Sequence, residues 1–181
     1  MIPVDSGRIV IVLDNRRFSG CTPIAATIAP TTTMKGTTRM SKPEFFDTPG
    51  YGKIAHTRNH YSQALRIGDR IEIAGQGGWD DDFTLSATSL EDEIVKACDN
   101  VEKTLAETGA SWRDVVNIHS YHVPTADDSI GDEHMAVMVD QFRKRFGESL
   151  PLWTAVGVKA LALPDQHVEI EVVAIAGSGS N

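Results

Sequence analysis

Residues 167–175 read HVEIEVVAI. Val168, Ile170 and Val172 alternate with Glu169 and Glu171, the period-two pattern of a half-buried strand. When the apolar set packs beneath covering elements, both glutamates point to the opposite face. What that opposite face meets decides the kind of sheet.

The segment before it, PLWTAVGVKA at 151–160, reads as a neighbouring strand. Assigning Val156 and Val158 to the core puts Trp153, Ala155, Gly157 and Lys159 on the glutamates' side. Two short strands near 61–66 and 70–75 are joined by a Gly68–Asp69 turn. Ile71 and Ile73 face the core, leaving Arg70, Glu72, Ala74 and, at the strand's end, Gln76 opposite. A face that mixes carboxylates, small residues and a tryptophan suits an oligomer interface better than open water. A glutamate buried there needs a partner or a function.

Two segments carry helical periodicity. Thr88 and Glu91 are placed for a capping box, Ile94, Cys98, Val101 and Leu105 recur at helical spacing, and Gly109 ends the run. A second helix is expected from Asp132 to Phe146, with Met135, Val139, Phe142 and Phe146 as its stripe and Gly147 as its stop. VVNIHSYHV, between them, reads as a strand, and MSKPEFFDTPGYGK, at 40–53, as an entering loop. The element order is β-β-α-β-α-β-β. Two helices cover only one face of such a sheet, which makes this an α+β layer design.

Composition narrows the function. The net charge of the 181-residue chain is −8, and it is divided: residues 1–39 carry +3 and the remainder −11. An acidic domain repels a phosphate backbone, so nucleic acid is not the expected partner. No apolar run approaches the roughly 20 residues that cross a bilayer, so no membrane partner is expected either. Cys21 and Cys98 make no disulfide framework and point to a reducing compartment, the cytoplasm. Residues 1–39 are basic and threonine-rich, with an apolar run RIVIVLD that has strand propensity. They form an N-terminal extension, read as a family-specific arm or, alternatively, as a mitochondrial transit peptide. The domain proper spans 40–181. His119 and His122 are three apart on a strand and face opposite sides, so they do not share a metal. No metal and no cofactor is expected; GQGG lacks the spacing of a phosphate loop.

HYSQALRIGDRIEIAGQGG, ACDNVEKTLAETGASWRDVVNIHSYHV and LPLWTAVGVKALALPDQHVEIEVVAIA resemble the Rid family, also called YjgF or endoribonuclease L-PSP. The resemblance covers about residues 58–176. It implies a chorismate-mutase-like α+β unit, assembled as a homotrimer around a central barrel with clefts between subunits. It also implies hydrolysis of reactive imines and enamines of small 2-amino acids. By motif position Glu169 matches the water-positioning glutamate. Tyr61 matches the pocket tyrosine, and Gly75 and Gln76 match the backbone-lined turn. Trp153 stands where the family has a carboxylate-gripping arginine, Ala155 where it has a cysteine, and Ala74 where it has a serine. Trp153, Thr154 and Ala155, with Gly75, Gln76 and His122, are therefore the expected substrate-binding residues, and Glu169 and Tyr61 the catalytic ones. For His122 an ordinary hydrogen-bonded strand histidine is the competing reading. An indole offers one neutral N–H where a guanidinium grips a carboxylate through two charge-assisted bonds. The expected activity is thus deamination of a small imine, enamine or related conjugated intermediate that is less anionic than the family's usual substrate. The alternative is a non-catalytic trimer that binds and protects a small molecule. A ribonuclease fits the acidic domain poorly.

Overall fold

The computed structural model describes residues 41–125 and 129–179. The extension at 1–39, with the strand propensity of RIVIVLD, lies outside the described residues. Six strands form one sheet: β1 (Glu44–Phe46), β2 (Ala64–Ile67), β3 (Arg70–Gln76), β4 (Val115–His122), β5 (Leu152–Gly157) and β6 (Val168–Ile175). Their spatial order is β1-β2-β3-β6-β4-β5. All neighbours are antiparallel except β4 and β5. The helices are α1 (Tyr51–Asn59), α2 (Leu90–Glu107) and α3 (Gly131–Phe146), with a 3₁₀ turn at Trp112–Asp114.

The core order is the one expected, and the α+β class holds. The segment read as an entering loop instead contains β1 and α1. Neither was legible: β1 has three residues, and α1 begins at Gly50 with no side-chain cap and has almost no amphipathic pattern. Tertiary contacts hold α1, with Tyr51 and Ala55 fully buried and the Tyr51 hydroxyl donating to Gln76 at 2.5 Å.

β6 behaves as its alternation dictates. Val168, Ile170, Val172 and Ala174 are buried beneath the helices, while Glu169, Glu171, Val173 and Ile175 are half-buried on the other face. Each such isoleucine or valine contributes on the order of 1.5–3 kcal/mol by burial. Ile94, Cys98, Val101 and Leu105 of α2 are all at 0% exposure, as their spacing requires. The α2 cap sits one residue later than expected: Ser89 Oγ accepts from Asp92 N, and Thr88 N donates to Asp92 Oδ2. Asp92 therefore reaches back to the amide before the cap, Thr88 N, and the Thr88–Glu91 box is replaced by a Ser89 cap with an Asp92–Thr88 bond that is not reciprocal. In α3 the buried stripe is rotated toward His134, Met138, Gln141 and Phe146, with Met135 and Val139 on its flanks. Two polar residues enter that stripe because each finds a partner, His134 in His122 and Gln141 in Arg145.

β5 departs furthest from expectation. Leu152 and Val156 are exposed, whereas Trp153 faces the helices. Its ring meets Phe142 of α3 edge-on at 4.9 Å, and its Nε1 donates to Ser120 Oγ at 2.9 Å. Placing Val156 in the core was therefore wrong, Val158 is half-buried beyond the end of the strand, and Trp153 and Ala155 do not share a face with Glu169. β5 is an edge strand pairing only with β4. Trp153 lies beside Ile118, and a large ring filling the space under α3 buries more apolar area than a valine would.

Buried carboxylates pin β6 at both ends. Glu93 of α2, 4% exposed, accepts from the His167 and Val168 amides at 2.6 and 3.2 Å, and from His167 Nδ1 at 2.9 Å. Asp114 accepts from the Gly177 and Gly179 amides at 2.9 and 3.3 Å. Glu93→Ala removes the acceptor of two buried or half-buried amides, each costing about 1–3 kcal/mol when orphaned. The expected result is a loss of about 2–5 kcal/mol, read as a lower urea midpoint with an unchanged m-value.

Candidate functional site

The face away from the helices is assembled by register. Glu72 pairs with Leu65 and Val173, Glu171 with His119, and Glu169 with Tyr121. Thr154 and Val156 extend the same rows onto β5, beside His119 and Tyr121. A recess of about 760 Å³ opens here, lined among others by Tyr61, Glu72, Ala74, His119, Glu171 and Val173. His56 and His60, from the end of α1, form part of its wall.

Glu169 is set beside this recess with a fixed geometry. Gln166 Nε2 donates to its Oε2 at 3.0 Å, and the same amide nitrogen donates to Val168 O at 3.1 Å. Its Oε1 lies over Gly75: a Cβ there would come within 1.9 Å of that oxygen. Any side chain at Gly75 would displace the Glu169 carboxylate from this position, so the glycine matters through close approach and not through a special dihedral. Burial pushes the Glu169 carboxyl above its usual range, the Gln166 bond opposes this, and the charge of Glu171 adds to it. Tyr61 is half-buried, and its hydroxyl is raised by burial first and then by the charges of Tyr51, Glu169 and Asp47. Tyr121 donates to Glu171 Oε2 at 3.2 Å.

The sequence-nominated residues divide between the two faces. Glu169, Gly75, Tyr61 and Thr154 belong to the open face. Gln76 does not: the register shift between Ile73 and Gln76 turns it inward to 0% exposure. Its carboxamide accepts from Tyr51 and from Gln63 Nε2 at 3.1 Å, and donates to Ala74 O at 2.7 Å. The side chain thus braces the bulge that presents Ala74 and Gly75. Trp153 and Ala155 lie on the covered face, so Trp153 is not a wall of this recess. His122 is also on the covered face and fully buried. It sits 3.1 Å from His134 Nδ1 and 2.9 Å from Ser120 Oγ. Burial, aided by His134, lowers its pKa to about 4, so it is a neutral core histidine, the competing reading.

Tyr121, His119 and Glu171 were not nominated, although strand parity in VVNIHSYHV and HVEIEVVAI places all three beside Glu169. Gln166 carries no sequence signal, because only the fold returns its loop to the carboxylate. Among the described residues, no group of three His, Cys, Asp or Glu side chains is arranged to hold a metal, and no helix is long and apolar enough to cross a membrane. Cys98 is no nucleophile, since burial pushes its thiol up to about 12.

The model of the family described as endoribonuclease L-PSP matches residues 53–176, and the chain belongs to that Rid/YjgF family. It is 33% identical over 119 residues to the RutC family protein YjgH of Escherichia coli, covering 66% of this chain and 85% of that protein. A solved structure of protein YjgH superposes with a TM-score of 0.60 at 28% identity, covering 73% of this chain and 96% of the other. Rv2704 of Mycobacterium tuberculosis, described as a member of the YjgF/YER057c/UK114 family, gives 0.59 at 25%, covering 75% and 100%.

The raised carboxyl of Glu169 has a stability signature. A carboxyl whose folded pKa exceeds its unfolded value, about 4.3, opposes folding once the pH rises above that value. Glu169→Gln should therefore raise the melting temperature at pH 7. The gain should shrink as the pH falls below about 4, where both states hold the proton. Calorimetry of the two proteins across pH 3.5–8 reads this directly.

Proposed function

We propose that this protein is a hydrolytic deaminase for a small reactive imine or enamine, with Glu169 as the water-orienting base. The observation that carries this reading is the Glu169 carboxylate itself: half-buried, raised toward neutrality, held by Gln166 and seated on Gly75 beside an open recess. A base with a pKa closer to the working pH exchanges protons efficiently in both directions. Glu169 takes a proton from water as the water oxygen adds to the imine carbon. It then returns that proton to the nitrogen, and as the C–N bond breaks the hydroxyl proton follows, leaving a carbonyl and ammonia. Tyr61 supplies a neutral phenol nearby, because its raised pKa keeps the proton on.

A homotrimer completes this reading. Phe45, Leu150, Leu152 and Val156 are exposed, three of them at the β5 edge, and their burial against copies of the chain would remove apolar area from water. The site would then lie in clefts between subunits, in a reducing cytoplasm that keeps Cys98 a buried thiol. One observation favours the alternative of a non-catalytic ligand-binding trimer. The family's arginine position holds Trp153, which packs inward and grips no carboxylate. A ribonuclease is disfavoured by the −11 domain charge, since RNA binding rests on cationic surface.

Glu169→Gln should lower carbonyl release from an imine generated in situ by about 10²–10⁴-fold while leaving the mass in solution unchanged. Semicarbazone formation and light scattering measure the two. Undiminished turnover would remove Glu169 from the mechanism, and a stable monomer would remove the trimer.

A further inference from the structure

The recess beside Glu169 carries charge of one sign. Its charged lining consists of Glu72 and Glu171, with no lysine or arginine among the described lining residues. Glu169 adds a third carboxylate on the same strand face, two residues from Glu171 and so about 7 Å along the chain. The arginines near this face are already engaged, and Arg70 offsets the charge of Glu72 within it. Arg70 Nε is paired with Glu72 at 2.8 Å, and Arg66 donates to the carbonyls of Gly68 and Thr108 at 2.9 and 2.7 Å. Three histidines face the opening; His56 is paired with Asp47 at 2.8 Å, while His60 and His119 lie on the wall. Phe45 and Tyr61 supply aromatic surface of the kind that attracts a cation.

We infer that the recess selects a cationic ligand, and that the substrate is an iminium or its enamine bearing no carboxylate. This rests on the deaminase reading above and names its substrate class. A carboxylate entering here meets Glu171 and Glu169, neither of them paired to a cation among the described residues, while the Arg70 guanidinium is held by Glu72; an iminium is attracted to both free carboxylates. The reaction is R₂C=NH₂⁺ + H₂O → R₂C=O + NH₄⁺. A C–O bond forms as water loses a proton to Glu169. That proton passes to the nitrogen, the C–N bond breaks, and the hydroxyl proton leaves with the departing ammonia. No oxidant or reductant takes part.

The test separates charge selection from catalysis by using unreactive probes. Benzylamine and benzoate are phenyl compounds of similar size and opposite charge. Titration calorimetry on the full chain at pH 7.5 should show benzylamine bound about tenfold or more tightly than benzoate. Glu171→Gln should erase most of that preference, and Glu72→Gln, a more exposed change, should reduce it. Equal or tighter benzoate binding overturns the inference, as does no binding of benzylamine at millimolar concentration. A second arm follows turnover of the imine released by a primary-amine oxidase against 2-iminopropanoate. Faster turnover of 2-iminopropanoate overturns the inference while leaving the deaminase reading intact. Selective benzylamine binding with no turnover of either imine supports charge selection and overturns the deaminase reading instead.

Discussion

The anchoring of β6 by buried carboxylates at its two ends is the interaction on which the rest of the structure depends. Glu93 holds the amides that open the strand, and Asp114 holds those that follow it. β6 lies between β3 and β4 in the middle of the sheet, so its placement sets the register on both sides. A carboxylate that accepts several backbone N–H groups recovers the solvation it loses on burial. For Asp114 the balance is legible: burial raises its pKa, the bonds from Ser111, Gly179 and Gly177 lower it, and the net shift is downward. The same opening turn carries Gln166, which reaches both Val168 O and Glu169, so the anchor of the strand also aims the candidate base.

The sheet separates two kinds of chemistry. Beneath the helices, polar groups are matched to one another: Trp153 to Ser120, Ser120 to His122, His122 to His134, and Gln76 to Tyr51 and Gln63. These groups are committed to structure and have little freedom to act on a ligand. On the open face Glu169, Glu171, Tyr121 and Tyr61 keep partial exposure, and the pKa shifts of Glu169, Tyr121 and Tyr61 reflect a site only partly removed from water. A raised carboxyl pKa opposes folding at neutral pH, and positions that serve reactivity commonly sacrifice stability in this way.

Some of this was present in the residues alone. The alternation of HVEIEVVAI determined that Val168, Ile170 and Val172 would be buried and that Glu169 and Glu171 would share the other face, because a central strand has a covered side to satisfy. The spacing of Ile94, Cys98, Val101 and Leu105 determined the buried stripe of α2. The motifs carried family membership. The tertiary structure alone decided the orientation of β5, the existence of α1 and the inward turn of Gln76. An edge strand takes its parity from the neighbour it pairs with and from the space under α3, so the valines of PLWTAVGVKA were no guide and Trp153 went to the covered side. A bulge reverses parity at Gln76 without a local signature. A helix as weakly amphipathic as α1 exists only because Tyr51 and Ala55 find a core to enter. Local periodicity reports which residues prefer burial; which surface buries them is settled by contacts between segments far apart in the chain.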